Sequence, residues 1–388
     1  MKNESCKYPI VFVHGMLGWG ENEGINQKIP YWGATTGSVT KYLAQFGHKC
    51  YAASVGPLSS AWDQACELYA QLTGTRVDYG KAHSEKFNHK RFGRTYTKPL
   101  FDNWNSENKI HLVGHSFGGN AIRLLAHLLT FGASEEVEAS KENTSELFKG
   151  GKKDLICSIT AISTPLNSTS AYNVAKKLHL ITPIRFVARY YCCALGRSRL
   201  NGKFVDFHLE QFGLTNTPGK EDASPFFKSM EIYRNTNDHI AFDLSNEGCD
   251  IINKRVCIVP DIYYFSFPFN DVEYNEKKHI QKAENTNFFL MRITSNLMIK
   301  NSDRSTLATH YGNDGLVDLL SACCPPKEPY KVFSKDENIE KGIWNIMPVH
   351  TGDHGTPIGL FADKNKTQQF YLEIIDLLKK SEDSKITI

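Results

Sequence analysis

The segment KIHLVGHSFGGNAIRLLAHLL, residues 109–129, switches from one hydrophobic period to another with almost no chain between them. Ile110, Leu112 and Val113 form a short apolar, partly β-branched run that reads as a strand, whereas Ile122, Leu125, Leu128 and Leu129 recur at helical spacing. So abrupt a turn needs small residues close to the backbone, and Gly114 and Gly118 stand two positions to either side of Ser116. G-x-S-x-G in this strand-turn-helix setting predicts a nucleophile elbow, with the Ser116 hydroxyl held clear of a sheet at a helix N-terminus. The competing reading is a Gly/Ser turn that arose by chance. The strand before it and the amphipathic helix after it favour the nucleophile.

Other short apolar runs repeat the alternation. Residues 9–14 read as a buried strand entering the loop HGMLGWGEN, residues 38–46 as an amphipathic helix, KCYAASVG as a strand, and WDQACELYAQL as a helix. LICSITAIS and DIYYFSFPF read as later strands, and QQFYLEIIDLLKK as a final helix followed by a frayed tail, SEDSKITI. This pattern predicts an α/β fold around a mostly parallel sheet. VDYGKAHSEKFNHKRFGRTY, residues 77–96, shows neither period and reads as a long irregular insertion. Residues 171–196 are apolar with Pro183 at their middle, which fits two core helices or a mobile helical cover over an apolar pocket.

A serine nucleophile needs a base and a carboxylate to orient it, and in an elbow architecture these follow in the order acid, then His. Of the 14 histidines, His310, His350 and His354 lie late enough. His354 in GDHGTP sits in a glycine-flanked loop before the final helix, where the base belongs. Asp314 in GNDGLVD lies in a turn, whereas Asp318 follows two apolar residues and resembles an ordinary strand-end residue. For His354 and Asp314 alike, the bland alternative is a turn-forming residue. An oxyanion would draw N–H donors from Phe117, next after the nucleophile, and from Met16 in the loop after the first strand.

Composition narrows the classes. The 388 residues, 41% hydrophobic and 22% charged with net charge +3, suit one core with insertions or two small domains and give no basic face for nucleic acid. No apolar stretch reaches transmembrane length, and MKNESCKYPIVFVHG does not read as a signal peptide. Ten cysteines include the vicinal pairs Cys192, Cys193 and Cys323, Cys324 but no CxxC. Asn3, Asn143, Asn167 and Asn365 begin glycosylation sequons.

PIVFVHGMLGWG, YWG, SVGPLSSAWDQACELYAQLTG, VDYGKAHSEKFNHKRFGRTY, HLVGHSFGG, QFGL, NDGLV and KGIW together resemble the bacterial true lipases of the Geobacillus and Staphylococcus type, a branch of the α/β-hydrolase fold. The resemblance runs from about Tyr8 to the final helix. It implies Ser116, Asp314 and His354 as the triad of a triacylglycerol lipase, in agreement with the residue-level reading. It also implies a structural zinc held by Asp63, His83, His89 and Asp243, four protein ligands that would close a tetrahedral site. The expected organisation is one domain, 1–388, with a zinc-binding insertion at about 58–98, closed by a ligand near 243, and a lid region at about 166–230. The family's calcium is doubtful here, because Thr356 and Phe361 stand about where its carboxylates would be. Phospholipase A1 activity, aided by Lys176, Lys177, Arg185 and Arg189, and a non-catalytic lipid-binding protein are the alternative functions. The expected partners are an acylglycerol or phospholipid and a transient lipid-water interface, the protein acting as a monomer or weak dimer. The family is secreted, which leaves a chain with ten cysteines and no evident leader of uncertain compartment.

Overall fold

The computed structural model describes residues 5–179, 206–213, 235–275, 280–301, 312–334 and 338–383. Its apolar runs become seven strands: β1 (Ile10–Val13), β2 (Cys50–Ala53), β3 (Ile110–His115), β4 (Ile156–Ile162), β5 (Tyr263–Phe267), β6 (Tyr330–Val332) and β7 (Trp344–Ile346). They form one sheet in the order β6-β7-β5-β4-β3-β1-β2, each neighbouring pair parallel. Every residue of β1, β3, β4 and β5 is buried. Helices on both faces account for strands buried from end to end and mainly apolar. Val11 and Val13 pack with helices α2 (Ala61–Thr73) and α4 (Gly118–Phe131) on one face. Ile10 and Phe12 pack on the other, with α1 (Val39–Ala44) and α5 (Lys364–Asp383). α3 (Lys81–Phe87) lies in the insertion.

The strand order explains where a site can form. From β1 the chain goes to β2 on one side, then crosses to β3 on the other. The loops leaving β1 and β3 therefore diverge, and the crevice between them opens at the carboxyl ends of the strands.

Residues 77–96 differ from the irregular segment expected. Arg76–Asp78 pairs with Phe92–Thr95 as an antiparallel ribbon, and α3 stands between them. α3 has no side-chain N-cap of its own; the buried Glu136 carboxylate, from outside the segment, accepts the Ala82 N–H at 2.9 Å and the His83 N–H at 2.7 Å. A short polar helix stabilised by a remote carboxylate leaves no periodic trace in its own residues. Residues 180–205 and 214–234, which hold most of the proposed lid, lie outside the described residues. The cysteines among the described residues are free thiols.

The final helix runs through Asp383, into the tail expected to fray, whose residues 384–388 lie outside the described residues. Glu382 is the reason: its carboxylate accepts the Lys7 and Tyr8 N–H groups, each at 2.9 Å, and the His111 imidazole of β3 at 3.0 Å. Burial opposes ionisation of Glu382, but these donors outweigh it and hold the carboxyl below its ordinary value. A depressed carboxylate stabilises fully above the ordinary glutamate range and ceases to do so as pH falls through the folded value. Glu382→Gln is expected to cost about 2 kcal/mol near neutral pH, with the gap to wild type closing in acid. Urea denaturation of both proteins at neutral and acid pH measures this.

Candidate active site and metal centre

Ser116 sits between β3 and α4 with φ at 54°, the left-handed region that a non-glycine residue rarely enters. Its N–H donates to the Ile162 carbonyl at the end of β4, and its carbonyl accepts the Gly119 N–H. The flanking glycines are steric requirements. A Cβ on Gly118 would stand 2.3 Å from the Val13 carbonyl oxygen, and one on Gly15 would stand 2.6 Å from Ser116 Cβ. The loop after β1 thus lies directly against the nucleophile turn.

Asp314 and His354 are brought together by two hydrogen bonds. His354 Nδ1 donates to Asp314 Oδ2 at 2.8 Å, and the His354 backbone N–H donates to the Asp314 carbonyl at 2.7 Å. Asp314 Oδ1 accepts the N–H groups of Leu316 and Val317 at 3.0 and 2.7 Å. The acid is almost wholly buried, and its aim is fixed on both oxygens. With Nδ1 committed to Asp314, Nε2 is the nitrogen left to serve as base. Asp318 instead anchors the helix Ser170–Lys177, accepting the Ser170 N–H at 2.7 Å and its hydroxyl at 2.6 Å. His350 packs among Phe267, Phe269 and Phe370, and His310 lies outside the described residues.

The Gly15–Met16 peptide is gripped through its carbonyl. His14 Nδ1 donates to the Gly15 oxygen at 2.9 Å, and so does the Gly18 N–H at 3.0 Å. His14 Nε2 accepts the Val55 N–H, so its tautomer is set, and burial pushes its pKa down to about 4 and keeps it neutral. Neither the Met16 nor the Phe117 N–H has an intramolecular acceptor among the described residues.

A second constellation lies in the insertion. Asp63 on α2, His83 on α3, His89 and Asp238 place ligand atoms within 4.8 Å of one another. His83 Nε2 is 3.3 Å from both Asp63 Oδ1 and Asp238 Oδ2, and His89 Nε2 is 3.2 Å from Asp238 Oδ2. His89 Nδ1 donates to the Lys90 carbonyl at 2.9 Å, so its Nε2 lone pair points into the cluster; Asp63 Oδ2 accepts from Gln211 Nε2 at 2.9 Å, leaving Oδ1 for the same space. His89 Nε2 and Asp63 Oδ1 are buried without a hydrogen-bonding partner. Orphaned lone pairs converging in this way fit a bound cation. The fourth ligand requires correction: Asp243 is outside the cluster, its Oδ2 accepting the Ala61 N–H at 2.8 Å at the start of α2, and Asp238 supplies the carboxylate.

After His354, Thr356 occupies a hydrogen-bonded loop. Its hydroxyl donates to Asp353 Oδ1 and accepts from Asn287 Nδ2, both at 3.0 Å, and Asp353 Oδ2 accepts the Asn287 and Phe288 N–H groups at 2.7 Å each. Phe361 is exposed, its N–H donating to Thr35 Oγ1 and its ring lying against Phe288.

A strained serine at the carboxyl end of a parallel sheet, beside a clamped Asp-His pair, defines an α/β-hydrolase-type site. The chain belongs to the lipase-like, C-terminal domain family, whose profile matches residues 6–387. Lipase 1 of Staphylococcus aureus (strain MRSA252) is 33% identical over 386 residues, covering 96% of this chain and 55% of that protein. The lipase of Staphylococcus hyicus is 35% identical over 403 residues, covering 100% of this chain and 60% of the relative. The chain thus spans little more than half the length of these relatives. The crystal structure of the S. hyicus lipase superposes with a TM-score of 0.85 at 31% identity, covering 100% of this chain and 99% of that one. EstA from Clostridium botulinum matches with a TM-score of 0.81 at 33% identity, covering 96% and 87%.

The two candidate ligand sets are separable by experiment. Asp238→Asn should reduce bound metal to well below one ion per chain and lower Tm, whereas Asp243→Asn should retain the metal. Elemental analysis of both purified variants decides between them.

Proposed function

We propose that this chain hydrolyses carboxylic esters as a triacylglycerol lipase, through Ser116, His354 and Asp314 and an acyl-enzyme intermediate. The observation that carries the reading is the buried Asp314–His354 pair at 2.8 Å, at the same sheet edge as a serine at φ 54°. Ser116 Oγ attacks the ester carbonyl while His354 Nε2 takes its proton; Asp314 keeps the imidazole in the required tautomer and stabilises its cation. The carbonyl oxygen becomes an oxyanion facing the Met16 and Phe117 N–H groups, each such donor contributing about 3 kcal/mol to lowering the barrier. Collapse expels the alkoxide, which leaves with the proton from His354. Water, deprotonated by the same nitrogen, then frees the acid and restores Ser116.

The insertion would hold a zinc ion between Asp63, His83, His89 and Asp238. Two imidazoles and two carboxylates suit zinc, and four protein ligands leave no open position, so its contribution would be to stability. Because Asp238 lies far along the chain from Asp63, His83 and His89, such an ion would act as a clasp between the insertion and the segment before Asn246–Arg255. Residues 166–230 would form the lid over an acyl pocket. Phospholipase A1 is the second reading, supported by the exposed Lys176 and Lys177.

Ser116→Ala should lower hydrolysis by roughly 10⁴-fold or more without loss of folding or metal. A fluorophosphonate should label the native protein at Ser116 alone, which separates an enzyme from a lipid-binding protein. Rates on triacylglycerol, phosphatidylcholine and short p-nitrophenyl esters rank the substrate classes; activity of the alanine variant within tenfold of wild type would refute the mechanism. Chelation by EGTA should leave Tm and activity nearly unchanged, because hydrogen bonds from Thr356 and Asn287 tie the loop after His354. A large loss restored by calcium alone would contradict this.

A further inference from the structure

We infer that Tyr31 and His115 form a hydrogen-bonded strut that sets the oxyanion loop and the general-base loop at their working separation, and that both are positioning residues for the reaction. The inference rests on the hydrolase reading above. The strut begins at the base itself: His115 Nε2 lies 3.0 Å from the carbonyl oxygen of His354. A carbonyl only accepts, so Nε2 carries the proton and Nδ1 is a lone pair. Nδ1 lies 2.7 Å from Tyr31 Oη, which must donate to it. With that proton committed, Tyr31 Oη accepts the Gly15 N–H at 3.0 Å. Every donor in the chain is assigned, and each link has one direction.

The two ends are chemically informative. Gly15 N–H belongs to the peptide immediately before Gly15–Met16, whose N–H faces the developing oxyanion. The other end is the carbonyl of the base residue, next to the Asp314 clamp. The strut therefore joins the loop after β1 to the loop after β7 beside the reactive groups, whereas the backbone hydrogen bonds between the same two segments lie further along both, from the Gly33 and Ala34 N–H groups to the Ile358 carbonyl and from the Thr35 N–H to the Gly359 carbonyl. His115 is the last residue of β3 and is buried, as is Tyr31. The Tyr31 hydroxyl and both ring nitrogens of His115 are committed within the strut, so neither residue is placed to exchange a proton with substrate. Burial, with the His354 ring at 4.8 Å, holds the pKa of His115 well below its ordinary value, which preserves the neutral tautomer the chain needs. Trp19, Trp32 and His14 pack around the Tyr31 ring and fix its plane.

A strut and a merely space-filling aromatic pair make different predictions. Tyr31→Phe keeps the ring but removes the hydroxyl, leaving Gly15 N–H and His115 Nδ1 without partners. On a soluble p-nitrophenyl ester, kcat should fall roughly 10–100-fold with KM within about twofold. The Ki of a trifluoromethyl ketone, which forms a tetrahedral adduct with the serine, should rise by the same factor as kcat/KM falls. His115→Asn should show the same pattern, and the double variant should cost no more than the worse single one, because either break interrupts the strut. If Tyr31→Phe does not fold, His115→Asn carries the same measurements alone. Variants labelled by fluorophosphonate with kcat within twofold of wild type would overturn the strut and leave the hydrolase reading intact. Losses that match only the unfolded fraction would also overturn it. Wild-type protein that neither hydrolyses esters nor reacts with fluorophosphonate would remove the underlying reading itself.

Discussion

The close approach of the β1 loop to the Ser116 turn is the constraint on which the site depends. A Cβ on Gly15 would stand only 2.6 Å from Ser116 Cβ, and one on Gly118 only 2.3 Å from the Val13 carbonyl oxygen, so neither position has room for a side chain. That contact holds Ser116 at φ 54°, a conformation of order 1–3 kcal/mol above the favoured regions. The cost is borne by the surrounding parallel sheet, whose central strands are buried at every position. Substituting either glycine would relax the turn and separate the nucleophile from the donors beside it.

Around this contact, the buried polar groups are arranged so that each proton has one direction. Asp314 spends one oxygen on the Leu316 and Val317 N–H groups that follow it and the other on His354 Nδ1, and His14 and His115 are kept neutral by burial in tautomers set by their partners. Polar groups in so apolar a region would be destabilising if unpaired. Paired, they determine which atoms face the crevice. Among the described residues, the unpartnered Asp63 Oδ1 and His89 Nε2 converge with His83 and Asp238 in one cluster, an arrangement whose electrostatics would suit a cation.

Much of the fold and the reactive triad was legible in the chain. The strand-turn-helix period around Ser116, the glycines beside it and the late turns holding Asp314 and His354 are local signals, because each arises from backbone geometry within a few residues. The insertion was less legible. α3 has no apolar stripe and borrows its cap from Glu136, so its own residues carry no helical signature. Glu382 likewise turned an expected frayed tail into an anchored helix end. The cluster holds Asp238 where Asp243 was expected. Two aspartates close together in the chain are equivalent in pattern, and only packing shows that one caps α2 while the other meets the histidines.

Sequence by itself therefore determined the alternation of strand and helix and the tight strand-to-helix turn at Ser116, since these follow from short-range sterics and hydrophobic period. Tertiary structure alone decided which aspartate meets His83 and His89. It also decided that Tyr31 reaches His115 across the crevice. Those choices join residues scores of positions apart, and no local preference distinguishes one distant partner from another until the sheet brings them within hydrogen-bonding distance.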